Sequence, residues 1–276
     1  MLAKTAEGLQ GRVLIVAPHM DDEVLGCGGT LAQLPDKGHI HVIYATDGSQ
    51  SPAPIVPGQA TTTPELHAIR KAEATAALSV LGLPSDNIHF LDFPDGSLSD
   101  HAEAFRESLA GLLRRIEPAY VMAPFRYDRH PDHLAVNRVT TATLRHVNPH
   151  ATLCEYFVYY RWRLLRGGDV RTYIHPDHLI EIDIGAVATQ KRQALACYTS
   201  QVTRFYPWQH RPVLTETLVH EVCQHPELFL KYEAHFPGAT IFTKARTWIR
   251  LAHRYETSLK MAKDRAMARL HRAYRS

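Results

Sequence analysis

The chain reads Val13-Leu14-Ile15-Val16-Ala17-Pro18-His19-Met20-Asp21-Asp22-Glu23 close to its start, and this stretch decides the fold. Its apolar run is typical of a buried strand, and the His and Asp residues that follow lie where a strand should give way to a helix. A second apolar run, Tyr120-Val121-Met122-Ala123, is followed by His130-Pro131-Asp132-His133. Ligands of open α/β sheets bind beyond the carboxyl ends of the strands. The sequence therefore predicts that the two polar segments meet at one site.

Strands and helices alternate through the first half of the chain. The pattern predicts strands over residues 12–17, 39–46, 87–93 and 119–123, and helices over residues 22–36, 64–81, 99–116 and 132–146. This alternation is typical of a Rossmann-like α/β fold, with a doubly wound, mostly parallel sheet and helices on both faces. Residues 51–63 contain three prolines, and we expect them to form a loop at the mouth of the site.

The second half of the chain is less regular. The sequence predicts strands over residues 153–160 and 178–184, a helix over residues 186–198, and partly helical structure over residues 212–232. Residues 243–275 predict one long helix with an apolar stripe that includes Trp248, Leu251, Tyr255 and Leu259. We therefore divide the chain into a catalytic domain over residues 1–242 and a helical C-terminal extension over residues 243–276.

Composition is that of a globular protein, with 45% hydrophobic and 21% charged residues among 276. The four cysteines lie far apart and form no C-x-x-C pair, which excludes a zinc ribbon or a thioredoxin-like motif. No run approaches about 18 apolar residues, and the first residues lack the apolar core of a signal peptide. We therefore expect a cytoplasmic protein.

Charge is unevenly distributed along the chain. Residues 244–275 hold ten Lys or Arg and two acids, a formal charge of +8, and the whole chain carries +3, so the remainder is about −5. We expect the long helix to dock its apolar stripe on the domain or on a second subunit, which would make a homo-oligomer. Peripheral contact with an anionic membrane is the less favoured alternative, and no nucleic acid partner is expected.

The polar segments carry the residues of a metal-assisted hydrolase. At a strand-to-helix turn, His19 and Asp22 are three residues apart and can share one ion, while Asp21 can act as a general base beside it. The second segment, residues 130–133, supplies two histidines. One of them can complete a set of two His and one carboxylate, which leaves a position open for water. The other can stabilise an oxyanion or protonate a leaving group, and Asp132 can orient a neighbouring imidazole.

Two further motifs compete with this interpretation. His175-Pro176-Asp177-His178 repeats the second segment but leads into an alternating strand pattern. Residues three apart on a strand face opposite sides, so its two histidines would not share an ion. The glycine-rich stretch at residues 26–29 lacks the Lys-Ser/Thr of a phosphate-binding loop, and close packing of the first helix on the sheet explains it better.

The paired motifs Pro18–Glu23 and Asp128–His133 resemble the N-acetylglucosaminylphosphatidylinositol de-N-acetylase superfamily, also called PIG-L or LmbE-like. The similarity spans about residues 10–205. It continues through Thr46-Asp47-Gly48, Arg70-Lys71-Ala72-Glu73, Leu81-Gly82, Phe93-Pro94-Asp95-Gly96, Lys191 and Ser200-Gln201. Met20 stands where proline is usual, which removes no metal ligand. Some relatives have a tyrosine two residues before the first His of the second motif, where this chain has Asp128.

This resemblance implies a zinc-dependent amidohydrolase that removes the N-acetyl group of an N-acetylglucosamine-type sugar or glycoconjugate and releases acetate. It implies one Zn²⁺ per chain, and it assigns a role to eight residues. The metal ligands are His19, Asp22 and His133, the general base is Asp21, the acid and oxyanion stabiliser is His130, tuned by Asp132, and the sugar contacts are Arg70 and Asp95. An amidase acting on a thiol-sugar conjugate and an inactive binding module are the alternatives.

Overall fold

A computed structural model describes residues 3–4, 6–52, 63–233, 242 and 246–273 of the chain. The strands are β1 (Ala3–Lys4), β2 (Val13–Ala17), β3 (Ile40–Thr46), β4 (Ile88–Phe93), β5 (Tyr120–Pro124), β6 (Thr152–Tyr156), β7 (Leu179–Ile182) and β8 (Glu227–Glu233). The α-helices are α1 (Asp22–Gln33), α2 (Thr63–Val80), α3 (Ala102–Ile116), α4 (Pro131–Val147), α5 (Ala188–Ala196), α6 (Thr199–Val202), α7 (Glu216–Gln224) and α8 (Arg246–Ala273).

The eight strands form one sheet in the order β1-β7-β8-β6-β5-β2-β3-β4. Every neighbouring pair is parallel except the two that involve β8, which runs antiparallel to β6 and β7. The prediction of a mostly parallel α/β sheet is therefore confirmed. Most of the predicted loop over residues 51–63 lies outside the described residues.

The core lies on both faces of the sheet. Strand β2 is fully buried, and its side chains alternate: Val13 and Ile15 face one side of the sheet, and Leu14 and Val16 face the other. Helices α1, α2, α5 and α7 cover the first side, and helices α3, α4 and α8 cover the second. Because both faces are covered, the central strands β2 and β5 read as continuous apolar runs.

Helix α1 lies unusually close to its neighbours because of its glycines. A Cβ at Gly26 would lie 2.4 Å from the Tyr156 ring, and one at Gly29 would lie 2.4 Å from Ile184. Such contacts are far inside van der Waals distance, so only glycine fits at either position. The expected close packing of this helix is therefore observed, and it fixes the helix that begins at Asp22.

Strand β8 is the main departure from the predicted elements. Residues 212–232 were expected to be partly helical, but only α7 is helical there, and residues 227–233 form a strand inside the sheet. Phe229 packs into the core on one face, and Leu230 and Tyr232 pack on the other. Burial on both faces removes the polar–apolar alternation that marks a strand, so the sequence did not reveal it.

The repeated motif at residues 175–178 also differs from its prediction. Pro176–His178 form a short 3-10 turn, and strand β7 begins only at Leu179. The His175 and His178 ring centroids lie 6.4 Å apart, and the side chains of His175 and Asp177 are 50% and 83% exposed. The motif is a surface turn, far more open than the buried residues of the first two segments.

Helix α8 packs on the domain through a different face from the one predicted. Ile249 and Ala252 are buried, whereas the predicted apolar stripe lies open, with Trp248 at 53% and Leu251 at 55% exposure. The structure therefore contradicts the expectation that this stripe docks on the catalytic domain. Among the described residues, no helix has the length and apolar character required to cross a bilayer.

Candidate metal centre and active site

The site lies at the point where the strand order reverses. From β2 the chain continues outward to β3 and β4 on one side, and later to β5 and β6 on the other. Helices therefore leave β2 and β5 on opposite faces, and a crevice opens beyond their carboxyl ends. The segment from His19 to Glu23 follows β2, and the segment from Asp128 to His133 follows β5. The structure brings the two motifs together in this crevice.

Three donor atoms converge there. His19 Nδ1 lies 3.1 Å from Asp22 Oδ2, and His133 Nε2 lies 3.2 Å from the same oxygen and 3.3 Å from His19 Nδ1. Ligand atoms bound about 2.0–2.2 Å from a tetrahedral zinc lie about 3.3–3.6 Å from one another. The three side chains therefore fit one divalent ion. His130 also offers a ring nitrogen within 4.8 Å of those of His19 and His133.

Carboxylates on the far side of each imidazole determine its tautomer. His19 Nε2 lies 3.1 Å from Asp132 Oδ2 and 3.2 Å from Asp95 Oδ1. Because an ionised carboxylate only accepts hydrogen bonds, the proton of a neutral His19 belongs on Nε2. The lone pair of Nδ1 is then directed toward Asp22 and His133. This is the carboxylate–histidine arrangement that orients metal ligands in proteins.

Asp128 does the same for His133. Its Oδ2 lies 3.3 Å from His133 Nδ1, an ion-pair distance without hydrogen-bond geometry, and its negative charge favours the proton on Nδ1, which leaves Nε2 for a metal. Asp128 is fully buried, and its Oδ1 also accepts the backbone N–H of His130. Sequence reasoning noted Asp128 only as the residue that replaces a tyrosine. The sequence did contain a signal for this role, because Asp128 lies five residues before the proposed ligand His133 at the end of the same strand.

Asp132 contacts a different histidine from the one expected. Its Oδ2 lies 3.8 Å from His130 Nδ1 but 3.1 Å from His19 Nε2. It also accepts the backbone N–H groups of Gly96 at 2.8 Å and Leu98 at 3.0 Å, so it is held rigidly. In this structure Asp132 orients His19 more directly than it tunes His130.

Asp95 was expected to contact a sugar, yet its side chain is only 4% exposed. It is directed at His19 through Oδ1, and its Oδ2 accepts the backbone N–H of Gln50. Burial opposes the charged form, but His19 and Arg70 hold the pKa of Asp95 down at about 2. The residue is therefore an ionised partner of His19 within the site.

His130 presents an N–H group to the crevice. It precedes the first turn of α4, and its Nδ1 accepts the backbone N–H of Asp132 at 3.3 Å. A neutral imidazole that accepts at Nδ1 carries its proton on Nε2. Its side chain is 23% exposed, and its ring centroid lies 4.6 Å from that of His19. His130 is thus positioned to donate to an oxygen placed beside the metal ligands.

Asp21 has a strained backbone just before α1. Its φ of 140° is rare for a residue with a side chain. Two buried groups hold it there. Glu23 Oε2 accepts the Asp21 N–H at 3.1 Å, and Arg70 donates to Asp21 Oδ2 at 3.2 Å and to the carbonyl of Met20. Tyr198 in turn donates to the Glu23 carboxylate. Arg70, expected to contact a sugar, is 1% exposed and lies behind Asp21.

Burial sets the charge states around Asp21. It raises the pKa of Asp21 to about 7, although Arg70 opposes the shift, and it also raises the pKa of Glu23 to about 7. Asp22 behaves in the opposite way: burial opposes its charge, but His133 and His19 hold its pKa well below the usual range. Two adjacent carboxyl groups therefore differ, one suited to binding a cation and one to exchanging a proton near neutral pH.

Tyr159 is a residue of the site that sequence reasoning missed. Its ring centroid lies 5.7 Å from that of His133, and the Arg129 guanidinium lies 5.7 Å from the Tyr159 centroid. It is 37% exposed, so it offers an aromatic edge to the crevice. The predicted strand over residues 153–160 included it, but β6 ends at Tyr156 and Tyr159 lies beyond its carboxyl end.

Comparison with known families agrees with this arrangement. Residues 14–144 match the sequence profile of the family PIG-L, described as GlcNAc-PI de-N-acetylase. This part of the chain is a PIG-L domain. The match spans both polar segments and the strands that carry them, so the PIG-L domain contains every residue of the metal-binding group described above.

Named relatives of this PIG-L domain are deacetylases. The chain is 33% identical over 147 residues to the diacetylchitobiose deacetylase of Thermococcus kodakarensis, covering 50% of this chain and 52% of that one. It thus spans about half the length of that relative. It is 26% identical over 245 residues, 70% of this chain and 82% of the other, to the 1D-myo-inositol 2-acetamido-2-deoxy-alpha-D-glucopyranoside deacetylase of Rhodococcus jostii.

The fold agrees with a solved structure as well. The N,N'-diacetylchitobiose deacetylase of Pyrococcus horikoshii superposes with a TM-score of 0.63, covering 84% of this chain and 87% of that one. At 23% identity this likeness concerns the fold alone. Both named relatives are deacetylases, which agrees with the prediction of a hydrolytic N-deacetylase.

Proposed function

We propose that this chain is a zinc-dependent deacetylase that hydrolyses the acetamide of an N-acetylglucosamine-type sugar or glycoconjugate and releases acetate. The observation that carries the proposal is the convergence of His19 Nδ1, Asp22 Oδ2 and His133 Nε2 within 3.1–3.3 Å of one another. The relatives named above support the sugar, since both are named for acetylated amino sugars.

His19, Asp22 and His133 would hold the ion, each histidine in the tautomer that its partner carboxylate selects. When bound, the metal supplies a Lewis acid that polarises a carbonyl and lowers the pKa of water. The donor set of two imidazoles and one carboxylate is typical of catalytic zinc, because it leaves a position open.

Asp21 removes the proton of the attacking water. It lies next to a proposed ligand in the chain, it is buried, and its carboxyl pKa near 7 allows it to accept a proton and to give it up again near neutral pH. The strained backbone and the contact with Arg70 fix the direction of its carboxylate. A fixed base loses no conformational freedom as the transition state forms.

His130 donates a hydrogen bond from its Nε2–H to the carbonyl oxygen as negative charge develops there, and it keeps its proton. The reaction adds water to the acetamide carbon and breaks the bond between that carbon and the sugar nitrogen. The proton taken up by Asp21 passes to the leaving nitrogen, so that acetate and a free amine are formed. The same carboxylate thus serves as base and then as acid.

Acetate release from a substrate panel tests the proposal. The panel contains N-acetylglucosamine, diacetylchitobiose, an N-acetylglucosamine glycoconjugate and a thiol-sugar amide, each with and without a chelator. We expect acetate from at least one acetylated sugar, loss of activity with chelator, and recovery with added Zn²⁺. Cleavage of the thiol-sugar amide alone would favour the amidase alternative. Zinc binding without any turnover would favour the inactive binding module.

A further inference from the structure

The outer surface of α8 carries an apolar stripe that nothing in the described structure covers. We call this set of side chains the α8 stripe; it consists of Trp248, Leu251, Tyr255 and Leu259. Its members recur every three or four residues and therefore share one face of the helix. Each is more than half exposed, at 53%, 55%, 54% and 51%. Leu164 adjoins the stripe at 39% exposure, and its carbonyl accepts the Trp248 indole N–H. Contiguous exposed apolar residues of this kind mark an interaction surface.

The face of α8 that contacts the domain is distinct from the stripe. Ile249 and Ala252 are buried, and Glu256 is 8% exposed, where it accepts from Arg129 at 3.3 Å. This contact ties the middle of the helix to the segment that leads into His130. The α8 stripe therefore remains exposed after the helix has packed on the domain.

Charge decides which partner fits. Helix α8 contains eight Lys or Arg and two acids, and one of those acids, Glu256, is turned toward the domain. The exposed residues beside the stripe include Arg250 and Arg254. In a two-fold dimer through this face the same surface would meet itself, and the basic residues of both copies would be brought together. An anionic surface has the opposite and complementary charge.

We propose that α8 docks on an anionic lipid surface, with the α8 stripe inserted among the headgroups and the arginines beside it in contact with lipid phosphates. An amphipathic helix with Trp, Tyr and Leu on one face and Lys or Arg beside them binds in the plane of such an interface. Tryptophan and tyrosine prefer the headgroup region, where one edge of the ring is wet. The helix lies on the membrane and does not cross it.

Vesicle flotation of the full-length chain tests this inference independently of catalysis. We expect binding to vesicles of phosphatidylcholine mixed with phosphatidylglycerol, little binding to phosphatidylcholine alone, and release at high salt. No binding to either vesicle would overturn the proposal, whether or not the protein is a deacetylase.

Two pairs of variants separate the stripe from the charges. The double variant Trp248→Ser/Leu251→Ser should lose binding, while Val213→Ser, which changes another exposed apolar residue, should not. Arg250→Gln/Arg254→Gln should weaken binding about 30-fold, while Arg106→Gln on α3 should not. Because all these side chains are exposed, zinc content and helical circular dichroism should match the unchanged protein.

The other partners give different results in the same experiments. A dimer in solution that Trp248→Ser/Leu251→Ser dissociates, together with no vesicle binding, would assign the stripe to a second copy of the chain and overturn the proposal. Retention on duplex DNA or RNA that depends on Arg250 and Arg254 but not on Trp248, again without vesicle binding, would assign the basic surface to nucleic acid and overturn it as well.

Discussion

Arg70 Nη2 lies 3.2 Å from Asp21 Oδ2, and both side chains are buried. The same guanidinium also donates to the carbonyls of Met20 and Gly48, so one cation joins the proposed base to the turn after β2 and to the loop after β3. A planar guanidinium can serve these acceptors at once, whereas a lysine ammonium offers a single charged point. The contact therefore fixes both the position and the charge of Asp21.

Replacement of Arg70 distinguishes a role in positioning Asp21 from a direct contact with the sugar. We expect Arg70→Lys to lower kcat about 10²-fold with little change in KM, because a base displaced by about 1 Å loses that much. Lys71→Met, which alters the partly exposed neighbour on α2, is the matched control. A large rise in KM with unchanged kcat would instead show that Arg70 binds the sugar, as the family resemblance implies.

The role of Asp21 itself is tested by an isosteric change. Asp21→Asn should keep zinc bound and lower kcat by about 10²–10⁴-fold, the usual contribution of a general base. Metal analysis and steady-state kinetics on the same preparation give both quantities. A variant that loses its zinc would place Asp21 among the ligands, and one with nearly normal turnover would remove it from catalysis.

Asp128 should matter for metal affinity, although it faces His133 Nδ1 and not the Nε2 atom that lies with the other two donor atoms. Asp128→Asn removes the negative charge beside His133 Nδ1 that favours the proton on that nitrogen, and we expect zinc affinity to fall about 10–100-fold. Competition with a chromophoric chelator measures this change. Asp177→Asn, in the exposed turn that repeats the motif, should leave affinity unchanged. Equal affinities in the two variants would contradict the assigned role of Asp128.

A pair of stacked histidines on β3 and β4 should make stability depend on pH. The rings of His41 and His89 lie 5.7 Å apart, and burial lowers the pKa of both. Below about pH 6.5 the unfolded chain then binds more protons than the folded one, so stability is full above that pH and falls as the pH decreases through it.

The variant His89→Gln should therefore show a smaller decrease in Tm between pH 8 and pH 5 than the unchanged protein. His150→Gln, at an exposed position, serves as the control for the loss of a histidine. Identical pH dependence in the unchanged protein and His89→Gln would show that this pair does not contribute.

The sequence predicted those parts of the molecule that are specified by a short stretch of neighbouring residues. His19 and Asp22 could be placed at the site because they follow an apolar strand in a parallel sheet, where strand ends converge, whereas the family resemblance singled out His133 from the two histidines of the second segment. Strand β8 could not be predicted, because burial on both faces removes the polar–apolar alternation of its residues and because its partner strands are distant in the chain. The docked face of α8 was missed because its buried apolar residues among those described are Ile249 and Ala252, a weaker apolar signal than the four large side chains of the stripe.

The contacts among polar residues were the hardest to predict. The family resemblance implied that Asp132 tunes His130, yet the register of α4 against the loop after β4 carries its carboxylate to His19. Tyr159 enters the site only because β6 ends earlier than its composition indicates. Such contacts depend on distances of a few ångströms between separate elements, which a pattern along the chain does not contain.

Zinc content of His133→Ala beside His178→Ala is the most direct test of the account. The two histidines occupy the same place in identical four-residue motifs, but one is buried against Asp22 and the other lies in a surface turn. We predict that His133→Ala loses the bound zinc and that His178→Ala retains about one ion per chain. Retention of zinc by His133→Ala together with its loss from His178→Ala would contradict the proposed metal centre.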